Sequence, residues 1–577
     1  MSHTLPLAPS ALTAAASRST AAPFTLAASG FPTYPTASRL PLVPAPAGPP
    51  KDADELTPAA APLDIAGALH SAPLRVMIVA SEGVPFVKTG GLADVIGALP
   101  RALRRLGHDV RVFLPRYSSI DPARWQLETV SSGLCVPMDQ STEPVDVLRA
   151  PAAPATAADS AGPGRDVPFY FIDSAHYLQR EKPYGYPDDG ERFILFCRGA
   201  LEYVRSVGWA PDIIHCHDWH TAIIPNWTRT IYRDDPCFKD SATVFTIHNL
   251  AYQGIFGYRI LEVAGVAQEG FLFPEVPELA NVVDLMGRGI LFSDVVSTVS
   301  PRYAREILTS DFGERLDPIL RDRRDRLYGI LNGVDTEEFD PATDPHIARN
   351  YDAFSLDDRP ANKRALQQQM RLPVDERIPL IGIISRLTDQ KGFDLLDQVA
   401  IPLIEQGIQL VVAGTGDQHY HTMFQRLAAR YPTQVSINLT FGQEISQRIY
   451  AGSDMILMPS RFEPCGLTQM LAMRYGSIPI VHAVGGLADT VQEFDPAANT
   501  GNGFRFASPD PFQLPFHLFA AVVRALEAYR FPDPWRDLMQ RAMLADYSWD
   551  ASAEQYVALY RRAHELHQLG KLHAAAE

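Results

Sequence analysis

Two cations and one carboxylate stand where chemistry on a charged leaving group would need them. Arg386 and Lys391 flank the loop SRLTDQKG, residues 385–392, between an apolar strand-like run and a helix-like stretch. Cations at a helix start oppose the helix dipole, so the pair calls for an anion between them. A diphosphate suits it: Arg presents a bidentate fork, Lys a point charge, and each charge-assisted hydrogen bond is worth about 1.5–3 kcal/mol. The competing reading is a pair of solvated surface cations. Further on, PSRFEPCGLTQMLAM, residues 459–473, sets Glu463 in a strand-to-helix turn ahead of Cys465, Gly466, Leu467 and Thr468. Gly466 and Leu467 offer backbone N–H groups to an anion or a ribose. Glu463 suits sugar hydroxyls, or positive charge developing at a sugar carbon; its other reading is an acid favoured by the helix N-terminus. Cys465 has no evident base partner, which argues against a nucleophilic thiol.

Three stretches nearer the N-terminus carry further polar groups past strand ends. In KTGGLADV, residues 88–95, Lys88, Thr89, Gly90 and Gly91 lead into a helix whose first turn holds Asp94. Glycines there let backbone N–H groups approach an anion, and the helix N-terminus favours negative charge. The motif is neither a Walker A loop nor GxGxxG; a tight βα turn with a surface lysine is its bland alternative. HCHDWH, residues 215–220, has the histidine density of a metal site. His215 and His217 share a strand face, while Asp218 and His220 fall in the following turn. With no second Cys/His cluster, a polar hydrogen-bonded loop is preferred and no metal is expected. TIHNLAYQG, residues 246–254, places His248 and Asn249 just past another strand. GGLADT at 485–490 nearly repeats GGLADV at 90–95: either analogous positions facing one cleft, or a shared way of writing a helix start.

The elements that must position these groups follow from short apolar, β-branched runs. LRVMIVASE, HDVRVFLP, PFYFID, PDIIHCH, SATVFTIHN and DVVSTVS form one series; IPLIGIISR, IQLVVAGTG, VSINLTF, DMILMPS and SIPIVHA form a second. Continuous apolar runs alternating with helical stretches predict buried parallel sheets. Two such series predict an α/β chain of two doubly wound, Rossmann-like domains, with ligands beyond the carboxyl ends of the strands. The expected organisation is an extension over 1–72, a first domain over 73–328, a second over 329–546 and a final helical segment, 547–577, packing back on the first. YGILNGVD, residues 328–335, is the expected hinge. The Ala/Pro/Ser/Thr-rich residues 1–72 read as disordered, and 150–166 as a low-complexity surface insertion. The 577 residues carry a formal charge of −16, which disfavours general nucleic-acid binding. No apolar run reaches the length of a membrane span. Five scattered cysteines without a CxxC pair predict neither a disulfide framework nor a zinc knuckle.

Together these motifs resemble the bacterial glycogen synthase and starch synthase family. KTGGLADV, HCHDWH, TIHNLAYQG, ILNGVD, SRLTDQKG, PSRFEPCGLTQ and GGLADT stand in the family's order and spacing across residues 74–566. Ala93, where plant starch synthases typically carry Gly, looks like the bacterial branch. The resemblance implies a GT-B fold and transfer of glucose from ADP-glucose to the 4-hydroxyl at the non-reducing end of glycogen or another α-1,4-glucan. It implies retention of configuration, no cofactor and no metal. It also implies a cytoplasmic enzyme, the alternative being a plastid one if residues 1–72 are a transit peptide. By the same resemblance Arg386 and Lys391 neutralise the leaving diphosphate, and the loop of Lys88, Gly90 and Gly91 closes over the donor. Asp94 and Asp218 contact sugars, His248 lines the donor glucose beside Asn249, and Glu463 holds its hydroxyls. Asn332 faces the donor, and Phe441 stacks on adenine. Many wider GT-B relatives place a second glutamate eight residues after the first; here that position is Leu471, which favours a front-face mechanism over double displacement. The competing readings are a pyridoxal-phosphate-dependent phosphorylase, a UDP-glucose-using sucrose- or trehalose-type synthase, and a catalytically silent glucan-binding protein.

Overall fold

The computed structural model describes residues 60–151, 167–267, 282–440 and 442–576. The insertion from residue 152 to 166, the extension through residue 59 and Phe441 lie outside the described residues.

The first domain is built on nine strands: β1 (Arg75–Val79), β2 (Asp109–Pro115), β3 (Glu128–Met138), β4 (Ser141–Arg149), β5 (Phe169–Asp173), β6 (Ile213–His217), β7 (Ala242–Ile247) and, after a small antiparallel pair β8 (Ile255–Gly257) and β9 (Val282–Asp284), β10 (Val295–Thr298) and β11 (Leu327–Gly329). Their order in the sheet is β11-β10-β7-β6-β1-β2-β5-β4-β3. All pairings are parallel except the β3–β4 hairpin and its junction with β5. Central strands such as β6 and β7 are buried at every position, which is why they read as apolar runs without alternation. The β3–β4 hairpin was not anticipated. It lies at the sheet edge, and β3 exposes most of its residues, so it lacks the apolar run that marks the others.

The second domain has six parallel strands: β12 (Leu380–Ile384), β13 (Gln409–Ala413), β14 (Val435–Asn438), β15 (Met455–Met458), β16 (Ile478–His482) and β17 (Phe504–Phe506), ordered β14-β13-β12-β15-β16-β17. Both sheets reverse direction of growth at their centre, between β1 and β6 in the first and between β12 and β15 in the second. Ligand crevices of doubly wound sheets open at such points, beyond the carboxyl ends of the strands. Two doubly wound sheets are the architecture that the GT-B expectation requires.

Helices cover both faces of the first sheet. On one face Leu92, Val95 and Leu99 of the Gly91–Arg105 helix share a core with Tyr556, Val557 and Tyr560 of the Trp549–Ala576 helix. The last helix therefore packs on the first domain although its chain arrives from the second. Each fully buried apolar side chain of this kind contributes on the order of 1.5–3 kcal/mol. The same core corrects the N-terminal boundary. Residues 60–72 are not a disordered tail: Asp64 caps a short Ile65–Leu69 helix by accepting from Gly67 N at 3.0 Å, and Ala60 N donates to the Leu327 carbonyl at 3.0 Å. Ala/Pro-rich composition signals disorder only where no partner surface exists; here the last helix supplies one. No helix among the described residues is long and apolar enough to cross a membrane.

The chain crosses between the domains twice, and the two passes touch. After β11, Val334 N donates to the Tyr547 carbonyl at 2.7 Å, Val334 and Ser548 form a parallel bridge, and Ser552 Oγ donates to the Leu331 carbonyl at 2.7 Å. A Cβ at Gly333 would lie 2.5 Å from both the N and Cα of Trp549. Because the obstacle is backbone, it cannot rotate away. Gly333→Ala should therefore destabilise the fold by about 1–3 kcal/mol, read as a lowered thermal midpoint; an unchanged midpoint would show that the crossing yields.

Candidate active site

Each site residue inferred from the sequence that lies among the described residues lines one interdomain cleft of about 1890 Å³. From the first domain come Lys88, Gly90, Gly91 and Asp94 after β1, Asp218 after β6, and His248 and Asn249 after β7. Asn332 comes from the crossing segment. From the second domain come Arg386 and Lys391 after β12, and Glu463, Cys465, Gly466, Leu467 and Thr468 after β15. The loops that follow β1, β6, β12 and β15 are those flanking the two switch points.

The cations do not all stand free. Lys391 Nζ lies 2.6 Å from Glu463 Oε2, which also accepts from Ser460 Oγ at 2.9 Å. Lys88 Nζ pairs with Asp94 Oδ1 at 2.6 Å on an exposed edge. Arg386 is exposed in the cleft wall with no carboxylate partner among the described residues. The notion of an anion held between Arg386 and Lys391 thus takes a modified form: a protein carboxylate, Glu463, engages Lys391. Burial and the Lys88 ammonium act oppositely on Asp94, and burial prevails, raising its carboxyl above the ordinary range.

The loop of Lys88 and its glycines is likewise occupied. Thr89 N and Gly90 N both donate to Glu82 Oε2, the latter at 3.2 Å. Burial raises the Glu82 carboxyl above its usual range while the two N–H groups pull it down. Glu82 was missed because it trails an apolar run, nine residues before the helix start at Gly91; its one signal is that it is an acid just past the carboxyl end of a buried strand. Tyr184, Trp219, Gln443 and Glu338 also line the cleft. Trp219 belongs to the HCHDWH motif but was not singled out there; Tyr184, Gln443 and Glu338 come from segments that carry no motif, and only folding brings them here.

The histidine cluster divides. His215 spends both ring nitrogens on neighbours, Nδ1 with Tyr560 Oη at 2.9 Å and Nε2 with Thr246 Oγ1 at 2.6 Å. His217 Nδ1 meets His248 Nε2 at 2.9 Å. His220 packs its ring against Tyr184, Phe193 and Trp219. The three therefore do not converge on one point. Burial lowers His215, His220 and His248 to about 3 and His217 well below its ordinary value, so all four are neutral near pH 7.

Asp218 adopts a left-handed φ of 54° and accepts from His248 N at 2.8 Å. A strained residue held in this way marks a site where side-chain placement matters. Asn332 is buried with its Oδ1 unpartnered among the described residues, and Asn249 Oδ1 accepts from Ala251 N at 3.1 Å. Cys465 is buried, which pushes its thiol up to about 12 and removes it as a nucleophile. Leu471, at the position of the absent second glutamate, lines the cleft as well. The second GGLAD motif does not: Gly485 and Gly486 pack behind the Glu463 turn, with ideal Cβ positions 1.9 Å from the Glu463 carbonyl oxygen and 2.1 Å from that of Cys465.

The arrangement suits an anionic leaving group on the second domain and a polyhydroxylated substrate between the carboxylates. Comparison with known proteins agrees in extent and kind. Residues 75–322 match the family described as "Starch synthase catalytic domain", and residues 366–514 match "Glycosyl transferases group 1". The gap between the two matches brackets the first chain crossing. The chain is similar to the glycogen synthase of Desulforudis audaxviator, 45% identical over 500 residues covering 85% of this chain and 97% of that one. It is similar to the glycogen synthase of Thermotoga maritima, 44% identical over 495 residues covering 85% and 99%. Among solved structures it is similar to the catalytic domain of starch synthase IV from Arabidopsis thaliana bound to ADP and acarbose. That match has 34% identity and a TM-score of 0.76, and covers 86% of this chain and all of that one.

Burial raises Asp218 from an ordinary 3.8 to about 7. The folded chain thus holds this proton more tightly than the unfolded chain, so the stability tied to it falls as pH climbs between those values and is flat above them. Asp218→Asn removes this dependence. The thermal midpoint of the variant relative to the unsubstituted protein should rise from pH 4 to pH 7 and then level off; a pH-independent difference would refute the assignment.

Proposed function

We propose, from the premise that this chain belongs to the glycogen and starch synthase family of glycosyltransferases, that it transfers glucose from ADP-glucose to the non-reducing-end 4-hydroxyl of an α-1,4-glucan with retention of configuration, building glycogen. The observation that carries the reading is the meeting, in one interdomain cleft, of Arg386 and the Lys391–Glu463 pair from one domain with Asp218, His248 and the Lys88 loop from the other. A solved relative bound to ADP and acarbose supports placing the nucleotide diphosphate and an oligosaccharide in the corresponding cleft.

In this reading ADP departs with its diphosphate against Arg386 and Lys391, whose positive charge replaces a metal ion. Preorganised charge in a water-poor cleft is the largest single source of rate enhancement for such a step. Lys391 exchanges part of its bond to Glu463 for the departing phosphate as charge develops there. The Glu463 carboxylate then turns to the hydroxyls of the donor glucose and to positive charge at its anomeric carbon. Asp218 orders the His248 peptide through the backbone hydrogen bond, and neutral His248 lines the donor sugar without adding charge. The Lys88 loop closes over the donor, its N–H groups passing from Glu82 to the substrate. Leu471 supplies no second nucleophile. The acceptor therefore attacks from the face that the leaving phosphate vacates, and that phosphate takes the acceptor proton. No cofactor enters the scheme, and the reaction belongs to the cytoplasm.

Glycogen supplied with ADP-glucose or UDP-glucose, with and without a chelator, tests the assignment through release of the nucleoside diphosphate. ADP-glucose should be turned over and the chelator should have no effect; a preference for UDP-glucose would keep the fold and overturn the donor. Arg386→Ala and Glu463→Ala should each lower kcat by about 10²–10³-fold while glycogen binding persists. Retention of full turnover by either variant would remove that residue from the chemistry.

A further inference from the structure

Behind the Glu463 turn, two short helices from opposite domains cap each other. The Pro301–Glu306 helix belongs to the first domain and the Gly485–Thr490 helix to the second. Gly485 N, at the start of a helix without a side-chain cap of its own, donates to both carboxylate oxygens of Glu306 at 3.1 Å. In return Arg302 N, in the first turn of the other helix, donates to Asp489 Oδ2 at 2.8 Å. Glu306 is buried, with 2% of its side chain exposed, and Arg302 Nε completes its shell at 2.8 Å. A buried carboxylate on a helix N-terminus with two N–H donors, one of them shared between both its oxygens, is a rigid arrangement.

The clasp connects directly to the chemistry. Gly486 N, the next amide along, donates to the carbonyls of Glu463 at 3.1 Å and Pro464 at 3.2 Å. Gly485 has φ 44°, and neither it nor Gly486 has room for a Cβ against the Glu463–Cys465 backbone. From the side facing away from the cleft, Gln469 Nε2 bonds the Cys465 and Gly466 carbonyls and Thr490 Oγ1, tying the same turn to the same helix.

We infer that Glu306 is a positioning residue for Glu463: a first-domain carboxylate that, through Gly485 and Gly486, sets where the second domain's glutamate sits in the cleft. The clasp makes the placement of Glu463 conditional on correct docking of the two domains. The inference rests on the reading of Glu463 as a substrate-contacting group.

The test uses the full chain carrying Glu306→Ala, Glu306→Gln or Asp489→Asn. It reads kcat and KM with ADP-glucose and glycogen, the thermal midpoint, and amide hydrogen exchange over residues 459–473. Glu306→Ala should lower kcat about 10- to 100-fold, as a displaced reacting group does, with KM for glycogen changed less than about threefold. Exchange over 459–473 should rise, and Glu306→Gln, which keeps one accepting oxygen, should recover most of the rate. Full kcat in a folded Glu306→Ala protein, or unchanged exchange over 459–473, would overturn the inference. So would equal losses in kcat, glycogen affinity and midpoint, the pattern of general loosening. If the alanine variant does not fold, Asp489→Asn, which weakens the reciprocal half of the clasp, decides: raised exchange over 459–473 with lowered kcat supports the inference, and both unchanged overturn it. If the unsubstituted protein turns over no ADP-glucose, the proposed function fails, and hydrogen exchange alone still decides whether Glu306 holds the turn.

Discussion

Backbone packed against backbone at Gly333 and Trp549 is the constraint from which the site follows. The two domains have separate cores, and the site residues picked out from the sequence come from segments that follow the carboxyl ends of strands. Such loops meet usefully only if the sheets are held in register. The paired crossings do this at one end, and the last helix does it again by burying Tyr556 and Tyr560 in the first domain's core. His215, which by sequence invites a metal reading, is part of that anchorage: it bridges Tyr560 to Thr246 beneath the sheet.

Charge in the cleft is arranged so that the polar groups lining it are held by protein partners. Glu463 engages Lys391, Asp94 engages Lys88, and Glu82 accepts the N–H groups of the first glycine loop. A buried donor or acceptor left without a partner costs about 1–3 kcal/mol, so these pairings stabilise the cleft. The histidines take no part in this balance because burial keeps them neutral.

The two GGLAD segments show how similar letters acquire different tasks. Both start helices, and at or just before both starts a glutamate accepts backbone N–H, Glu82 from Thr89 and Gly90 at the first and Glu306 from Gly485 at the second. The first glutamate belongs to the same domain and the loop faces the cleft. The second reaches across from the opposite domain, and the glycines turn toward the back of the Glu463 turn. Local grammar is shared because an uncapped helix start wants an acceptor. What lies beyond the helix start is set by the sheet to which it is attached.

By itself the sequence determined the two doubly wound series, the strands buried on both faces, and the polar residues just past their ends, because buried parallel strands and βα turns leave strong local signatures. It also carried the motifs from which Arg386, Lys391, Glu463, Asp218 and His248 were picked out. Only the tertiary structure decided that these residues share one cleft, that Lys391 and Glu463 pair, and that Glu82 and Glu306 occupy the two glycine-led helix starts. It also ordered residues 60–72, which composition marked as a tail, and placed the low-signal β3–β4 hairpin on the sheet edge. The reason is the same in each case. Alternation, glycine and apolar runs report on neighbours within a few residues, whereas the partner of a buried carboxylate or a short helix lies far away in the chain and is chosen by packing.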